Sequence, residues 1–443
     1  MGAAGARQGA GRIAFDLGAD HRAAMGKAGE RRRRCVAHAP ALETPMPTPF
    51  EVHIPQSRLD AVMDRVRAYR PFPVITDDLP VTPALLNAFV SYWTGGFDWR
   101  DQERRLNDFP QFLAEIGGER LHFVHVRSGA AAARAVVLIH GWPNTYQQFL
   151  AIVDRLAHPE RFGGSREDGV DVIVPSLPGY GFSDRPRQPM GPRALADRLN
   201  ALMVGELGYE SYFVHGGDFG AMIGEQMALR HPEQVLGLHT HHCFYRTSGS
   251  PFGSGQTGSD DPTPAEVEWA ASEKASFDRE FQYFALQASD PLTVSYAMMD
   301  SPVGQAAWLL DKFLLWSDAA ANNGDLPFDR DRALTEIMIY SLTDTFYSAA
   351  VMYRAVAMEG PMTLAEGQRI EPPVGFAAFC DPHCPPPPAE FVRKSHNLVR
   401  YCEMSAGGHF PALEQPALLA EDLQGFIAQV PPQTRALARG VRS

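Results

Sequence analysis

The chain is poor in cysteine: five in 443 residues (Cys35, Cys243, Cys380, Cys384 and Cys402), an odd number at irregular spacings. That argues against a disulfide framework and fits reduced thiols in a cytoplasmic protein. Residues 1–45 hold no apolar stretch long enough for a signal-peptide core or a membrane anchor. Basic residues are outnumbered, 40 Lys and Arg against 52 Asp and Glu, and the net charge of −12 argues against nucleic acid or an anionic membrane as partner. Cys380 and Cys384 flank His383, but a proline run follows and no second ligand cluster accompanies them, so no metal is expected. No Gly-x-Ser-x-Gly follows a strand-like run, which argues against a serine nucleophile on a strand-to-helix turn. No internal repeat is visible.

What is present is the composition of a soluble globular protein, 45% apolar and 21% charged, long enough for one large domain with an insertion or for two domains. Residues 1–45 are rich in Ala, Gly and Arg, with four arginines at 31–34, and are expected to form a disordered tail. Met46 offers an alternative start just before the first patterned sequence. Residues 46–111 read as helical. Leu59, Val62, Met63 and Val66 share one face, Pro71 and Pro73 end that helix, and a second spans about 84–93. Trp93, Phe97 and Trp99 supply apolar surface, so this segment is expected to cover the main domain.

From 112 to 244 strands and helices alternate. Residues 112–116 and 121–126 form a hairpin across Gly117-Gly118, 135–139 and 170–174 are apolar strands, 195–207 a helix, 212–214 and 235–239 strands. Residues 248–264 are a Gly, Ser, Thr and Pro loop, and helical patterns alone follow to 359, so 245–360 is expected to be a helical cap. Strands return at 374–379 and 399–404 and a helix at 416–430, making 361–435 the second part of the core, before a tail at 436–443. Such alternation implies an α/β fold with a mostly parallel sheet.

At residues 215–231, HGGDFGAMIGEQMALRH, the period changes from strand to helix, with Met222, Ile223 and Met227 at helical spacing. The turn between them is Gly216-Gly217-Asp218-Phe219-Gly220, which looks like the nucleophile elbow of the α/β-hydrolase type with a carboxylate where serine is usual. A carboxylate with a pKa of about 4 is ionised at pH 7 and needs no base to activate it. It can displace a leaving group from an sp3 carbon, leaving an ester that a second step must hydrolyse. His409, after the glycines of Gly407-Gly408 at the end of the last strand, stands where a water-activating base belongs. The chain order of such a triad is nucleophile, acid, histidine.

Six motifs carry a closer resemblance: YWTGGFDWRDQERRLNDFPQF, HGWP, PGYGFSD, GGDFG, DSPVGQAAW and GGHFPALEQP. With them the chain, from about 50 to 430, resembles an epoxide hydrolase of the microsomal type, in the α/β-hydrolase superfamily, including its soluble bacterial relatives. The resemblance implies an α/β-hydrolase core with a helical cap and no cofactor. It implies Asp218 as nucleophile and His409 as base. It also implies Trp142 and Phe219 as backbone donors of an oxyanion hole, with Pro143 cis, and Tyr283 and Tyr353 as the cap phenols that activate the epoxide oxygen. Tyr296, Tyr340 and Tyr347 are nearby alternatives without that match, and His140 is read as structural.

The acid departs from the family pattern, which has proline, one variable residue and then Asp or Glu after the strand. Here Cys380-Asp381-Pro382-His383 puts Asp381 one position early, with Glu390 as the alternative. His239, His241 and His242 read as strand-end packing. The implied substrate is a small apolar epoxide, attacked by Asp218 and released as a vicinal diol by water, and a homodimer is the analogous assembly. Two rival readings stand beside it. A haloalkane or haloacid dehalogenase would share the carboxylate and histidine, and a non-catalytic member of the fold would bind ligand alone.

Overall fold

The computed structural model describes residues 46–76, 79–318 and 325–431; the tails expected at 1–45 and 436–443 lie outside the described residues. Its strands are β1 (Thr48–Phe50), β2 (Gln111–Ile116), β3 (Glu119–Val126), β4 (Ala135–Ile139), β5 (Asp171–Pro175), β6 (Tyr212–Gly216), β7 (Val235–Thr240), β8 (Ile370–Ala378) and β9 (His396–Glu403). They form one sheet in the order β1-β2-β3-β5-β4-β6-β7-β8-β9. The pairs from β1 to β5 are antiparallel and those from β5 to β9 parallel. This is the mostly parallel sheet that the alternation predicts.

The helices in chain order are α1 (Gln56–Arg67), α2 (Pro83–Gly95), α3 (Trp99–Asn107), α4 (Leu150–Ala157), α5 (Pro192–Asn200), α6 (Phe219–Arg230), α7 (Pro264–Glu280), α8 (Gln282–Ser289), α9 (Pro291–Asp300), α10 (Pro302–Trp316), α11 (Arg330–Thr343), α12 (Phe346–Glu359), α13 (Ala389–Arg393), α14 (Pro411–Glu414) and α15 (Pro416–Gln429). Helix α4 packs with α15 and α5 with α6, while α6 lies on β4, β6, β7 and β8. Strands covered on both faces lose the in–out alternation. Accordingly β4, Ala-Val-Val-Leu-Ile, and β6 are buried at every residue.

Between β7 and β8 the chain leaves the sheet and builds α7 to α12. Helix α7 starts on Thr263, whose side chain accepts from the Glu266 N–H while Glu266 returns a bond to the Thr263 N–H. That reciprocal pair, with Pro264 in the first turn, satisfies donors the helix end leaves open. Helices α8 and α12 pack against each other, and each carries one of the two tyrosines of interest.

The N-terminal segment, expected to cover the main domain, also reaches the inserted helices. Its helices lean on the inserted helices: α1 contacts α10 and α11, and α3 contacts α11. Arg58 donates to the Ser341 and Leu342 carbonyls and pairs with Asp344, and the Tyr92 hydroxyl donates to Asp331 at 2.7 Å. Strand β1, three residues long and too short for periodicity to show, extends the sheet beyond β2. The helix expected over 195–207 is α5 continued by a π-helical turn at Ala201–Glu206.

Candidate active site

Strand β6 turns into α6 at Asp218, whose backbone has φ +53° and ψ −130°. A non-glycine residue held there stores about 1–3 kcal/mol of strain and persists only where its surroundings fix it. The flanking glycines are required. An added Cβ would lie 2.4 Å from the Gly220 carbonyl at Gly216, and 1.9 Å from the Ile139 carbonyl oxygen at Gly220.

The Asp218 carboxylate meets a different partner at each oxygen. Oδ1 accepts from the Trp142 N–H at 2.8 Å, and the Trp142–Pro143 bond is cis. Oδ2 lies 3.6 Å from His409 Nε2. Burial pushes this carboxyl up, but His409 and the N–H groups of Phe219 and Trp142 outweigh burial and hold it below its ordinary value. His140 turns away and accepts from the Leu177 N–H at 3.1 Å.

His409 stands between two carboxylates. Its Nδ1 donates to Asp381 Oδ2 at 2.6 Å. Asp381, one position early in sequence, therefore does reach the imidazole, whereas Glu390 begins α13 and accepts from the Thr263 hydroxyl at 3.1 Å. The loop following β8 folds back so that Asp381 Oδ1 also accepts from the His383 and Cys384 N–H groups, at 2.7 and 3.0 Å. Burial alone would lower the basicity of His409. The charge of Asp381 and the hydrogen bonds to Asp218 and Asp381 reverse that and hold it well above its ordinary value. Asp381 is held well below its own, its burial overcome by His409 and His242.

On one side Asp218 opens onto a cavity of about 240 Å³ lined largely by apolar and aromatic side chains, among them Met222, Phe244, Phe277, Phe281 and Met362. Tyr283 from α8 and Tyr353 from α12 line the same cavity, their rings 5.7 Å apart. Burial, reinforced by the charge of Asp218 for Tyr283 and by Tyr283 and Asp218 for Tyr353, pushes both phenols well above their usual range, so both stay protonated. Of the alternative tyrosines, Tyr340 donates to the Asn144 carbonyl and Tyr296 is 71% exposed.

On the other side of Asp218 is a void of about 10 Å³, lined by Trp142, Asn144, Gln148, His241 and His409 among others. Among the described residues Asp218 alone lines both spaces. The smaller has the volume of a single water molecule. Asn144 Oδ1 and His241 Nδ1, both on residues bordering it, are buried without a protein partner, and His409 Nε2 faces Asp218 Oδ2 at 3.6 Å.

Of the histidines expected to pack at the end of β7, His241 does pack, against the rings of His215, His242 and Phe379, whereas His239 and His242 are engaged in hydrogen bonds. His239 pairs with Asp422 at 3.0 Å and with His215 at 2.9 Å. His242 accepts from the Asp218 N–H at 2.7 Å and reaches Asp381 Oδ2 at 2.8 Å. Two further carboxylates escaped the sequence reading. Glu414 accepts from the N–H groups of Gly408, Phe410 and Asp318, at 2.9, 2.8 and 2.8 Å, gripping the backbone on both sides of His409. Glu336 accepts from the Thr145 N–H at 2.8 Å, just beyond Trp142 and Pro143. Adjacency to the elbow strand in a parallel sheet was the available signal for His242, and its place in GGHFPALEQP the signal for Glu414.

Among the described residues, two groups bring ligand-type atoms within 4.8 Å of one another: His242, Asp381, Cys384 and His409, and Glu225, Cys243 and His396. In the first the imidazoles and the carboxylate bond one another, and in the second His396 bonds Glu225 at 3.1 Å. The thiol of Cys384, which lines the larger cavity, is pushed up to about 12 by burial.

Comparison with known proteins agrees with this geometry. The family described as "Epoxide hydrolase N terminus" matches residues 47–149, and the "alpha/beta hydrolase fold" family matches residues 134–252. The chain is 32% identical to "Epoxide hydrolase 1" of Sus scrofa, over 87% of this chain and 89% of that protein. Among solved structures it resembles juvenile hormone epoxide hydrolase from the silkworm Bombyx mori (TM-score 0.76, 25% identity, 88% of this chain and 95% of that one). It also resembles Aspergillus niger epoxide hydrolase (TM-score 0.74, 29% identity, 87% and 97%). Among the described residues no helix is long and apolar enough to cross a membrane. The chain belongs to the epoxide hydrolases of the α/β-hydrolase superfamily.

Proposed function

We propose that this enzyme opens its epoxide in two covalent steps. Asp218 Oδ2 attacks one epoxide carbon, the carbon–oxygen bond breaks, and Tyr283 and Tyr353 hold the leaving oxygen while one of them protonates it. The product is a hydroxyalkyl ester on Asp218. His409, oriented by Asp381, then takes a proton from water as that water attacks the ester carbonyl. The N–H groups of Trp142 and Phe219 receive the charge on the carbonyl oxygen, each such donor being worth about 3 kcal/mol. Collapse of that intermediate releases the vicinal diol and regenerates the carboxylate.

The arrangement that supports this most is a carboxylate with a backbone donor at one oxygen, an imidazole beside the other, and two protonated phenols in the cavity it opens on. The phenol pair favours an epoxide over a haloalkane, because a leaving alkoxide needs a proton and a halide does not.

The electrostatics couple the steps. His409 is held protonated while Asp218 and Asp381 are both charged. Esterification removes one of those charges and with it part of what raises His409, which shifts it toward neutral imidazole, the form that can act as a base. The proton His409 gives up restores the phenol. The void of about 10 Å³ beside Asp218 and His409 supplies room for the attacking water. The cavity's apolar lining suits a small apolar epoxide.

Two measurements test this. His409→Gln should accumulate an adduct of substrate mass on the peptide containing Asp218. A single turnover in ¹⁸O-labelled water should place the label in Asp218; label appearing directly in the diol would rule out the ester.

A further inference from the structure

We propose that His242 is a positioning residue of the reaction, a strap between the backbone of the nucleophile and the acid that orients the base. The inference rests on the two-step reading above and adds a residue to it.

The hydrogen bonds fix what His242 is. The Asp218 N–H can only donate, and it meets His242 Nδ1 at 2.7 Å, so Nδ1 carries the lone pair. Nε2 then bears the hydrogen and donates to Asp381 Oδ2 at 2.8 Å. His242 is therefore a neutral imidazole in a single tautomer, set by its two partners. Its burial, which lowers its basicity against the pull of Asp381, agrees with that state. The ionisable groups around it come from every neighbouring element: Asp218 from the elbow, His241 beside it, Asp381 and Cys384 after β8, and His409 after β9.

Two consequences follow for the chemistry. The strained turn at Asp218 has its N–H tied to a side chain, so the nucleophile is held from behind as well as by Trp142 in front. At the other end, Asp381 Oδ2 is shared between the two imidazoles, 2.8 Å from His242 and 2.6 Å from His409. A second donor on that oxygen weakens its hold on the first, so His242 limits how tightly Asp381 keeps the proton of His409. Because His409 must become neutral before it can activate water, this tuning belongs to ester hydrolysis and not to ester formation.

The test separates the two half-reactions by rapid-mixing kinetics on three variants. His242→Leu fills the site without hydrogen bonds, His242→Asn is polar but too short to span both partners, and His242→Gln can accept from Asp218 and donate to Asp381. The proposal expects Leu and Asn to slow ester hydrolysis by about 10- to 100-fold. Ester formation should change only a few-fold, so that kcat and KM fall together and ester accumulates. The acid limb of the hydrolysis step should move to higher pH, and Gln should restore both rate and limb. If Leu fails to fold, Asn against Gln decides alone. Wild-type hydrolysis in Asn, or equal losses in both steps that Gln does not rescue, would overturn the proposal. An absence of trapped ester in His409→Gln would instead sink the two-step reading, so the two failures are distinguishable.

Discussion

At the scale of single residues, the proposed mechanism depends on keeping groups in the ionisation state each step needs. Asp218 is kept ionised against its burial by His409 and the N–H groups of Phe219 and Trp142, while Tyr283 and Tyr353 are kept protonated by burial and by nearby charge. Replacing either tyrosine with phenylalanine removes one proton donor but leaves the ring, and should slow ester formation by about 100-fold. In the proposed mechanism ester hydrolysis is carried by His409 and water, so it should change much less in the same stopped-flow traces. How much of this was legible depended on the residue. Asp218 was readable because only a Gly-flanked turn between a buried strand and a helix presents a side chain this way. His409 was readable from its glycines. Asp381 stood out as the nearest carboxylate, but whether it could reach was a question of loop path, which residue spacing does not encode. His242 was misread because a histidine at a strand end has no local pattern that separates packing from hydrogen bonding.

At the scale of elements, buried carboxylates pin the loops that carry the site. Glu336 on α11 holds the Thr145 N–H, and burial pushes its carboxyl up to about 8 against the hydrogen bonds it accepts. A folded value above the unfolded one of about 4.5 means its contribution to stability is full below pH 4.5. It is lost as pH rises through 8. Wild type should therefore melt at a lower temperature at pH 9 than at pH 5, the loss amounting to a few kcal/mol. Glu336→Gln, which has no proton to lose, should show a smaller difference in the same thermal scans. The sheet and cap were legible at this scale because period-2 and period-3.6 patterns are long and apolar there. Strand β1 was not, since three half-exposed residues acquire their structure only from pairing with β2. Nor was the partner of the N-terminal helices, because an amphipathic face states that it is covered but not by what.

At the scale of the whole molecule, the N-terminal segment braces two of the inserted helices, α10 and α11. Arg58 ties α1 to the end of α11 through two carbonyls and Asp344. Its side chain is about one-third exposed, so Arg58→Ala should cost only about 1 kcal/mol of stability. The measurable sign should be faster proteolysis of the inserted helices, with the chemical steps intact. The arrangement of the two voids reaches further. Among the described residues Asp218 alone borders both an oily chamber and a niche with room for about one solvent molecule. If the attacking nucleophile must lodge in that niche, water fits and even the smallest alcohol does not. In dilute methanol the enzyme should keep turning over, with no methyl ester forming on the peptide that holds Asp218.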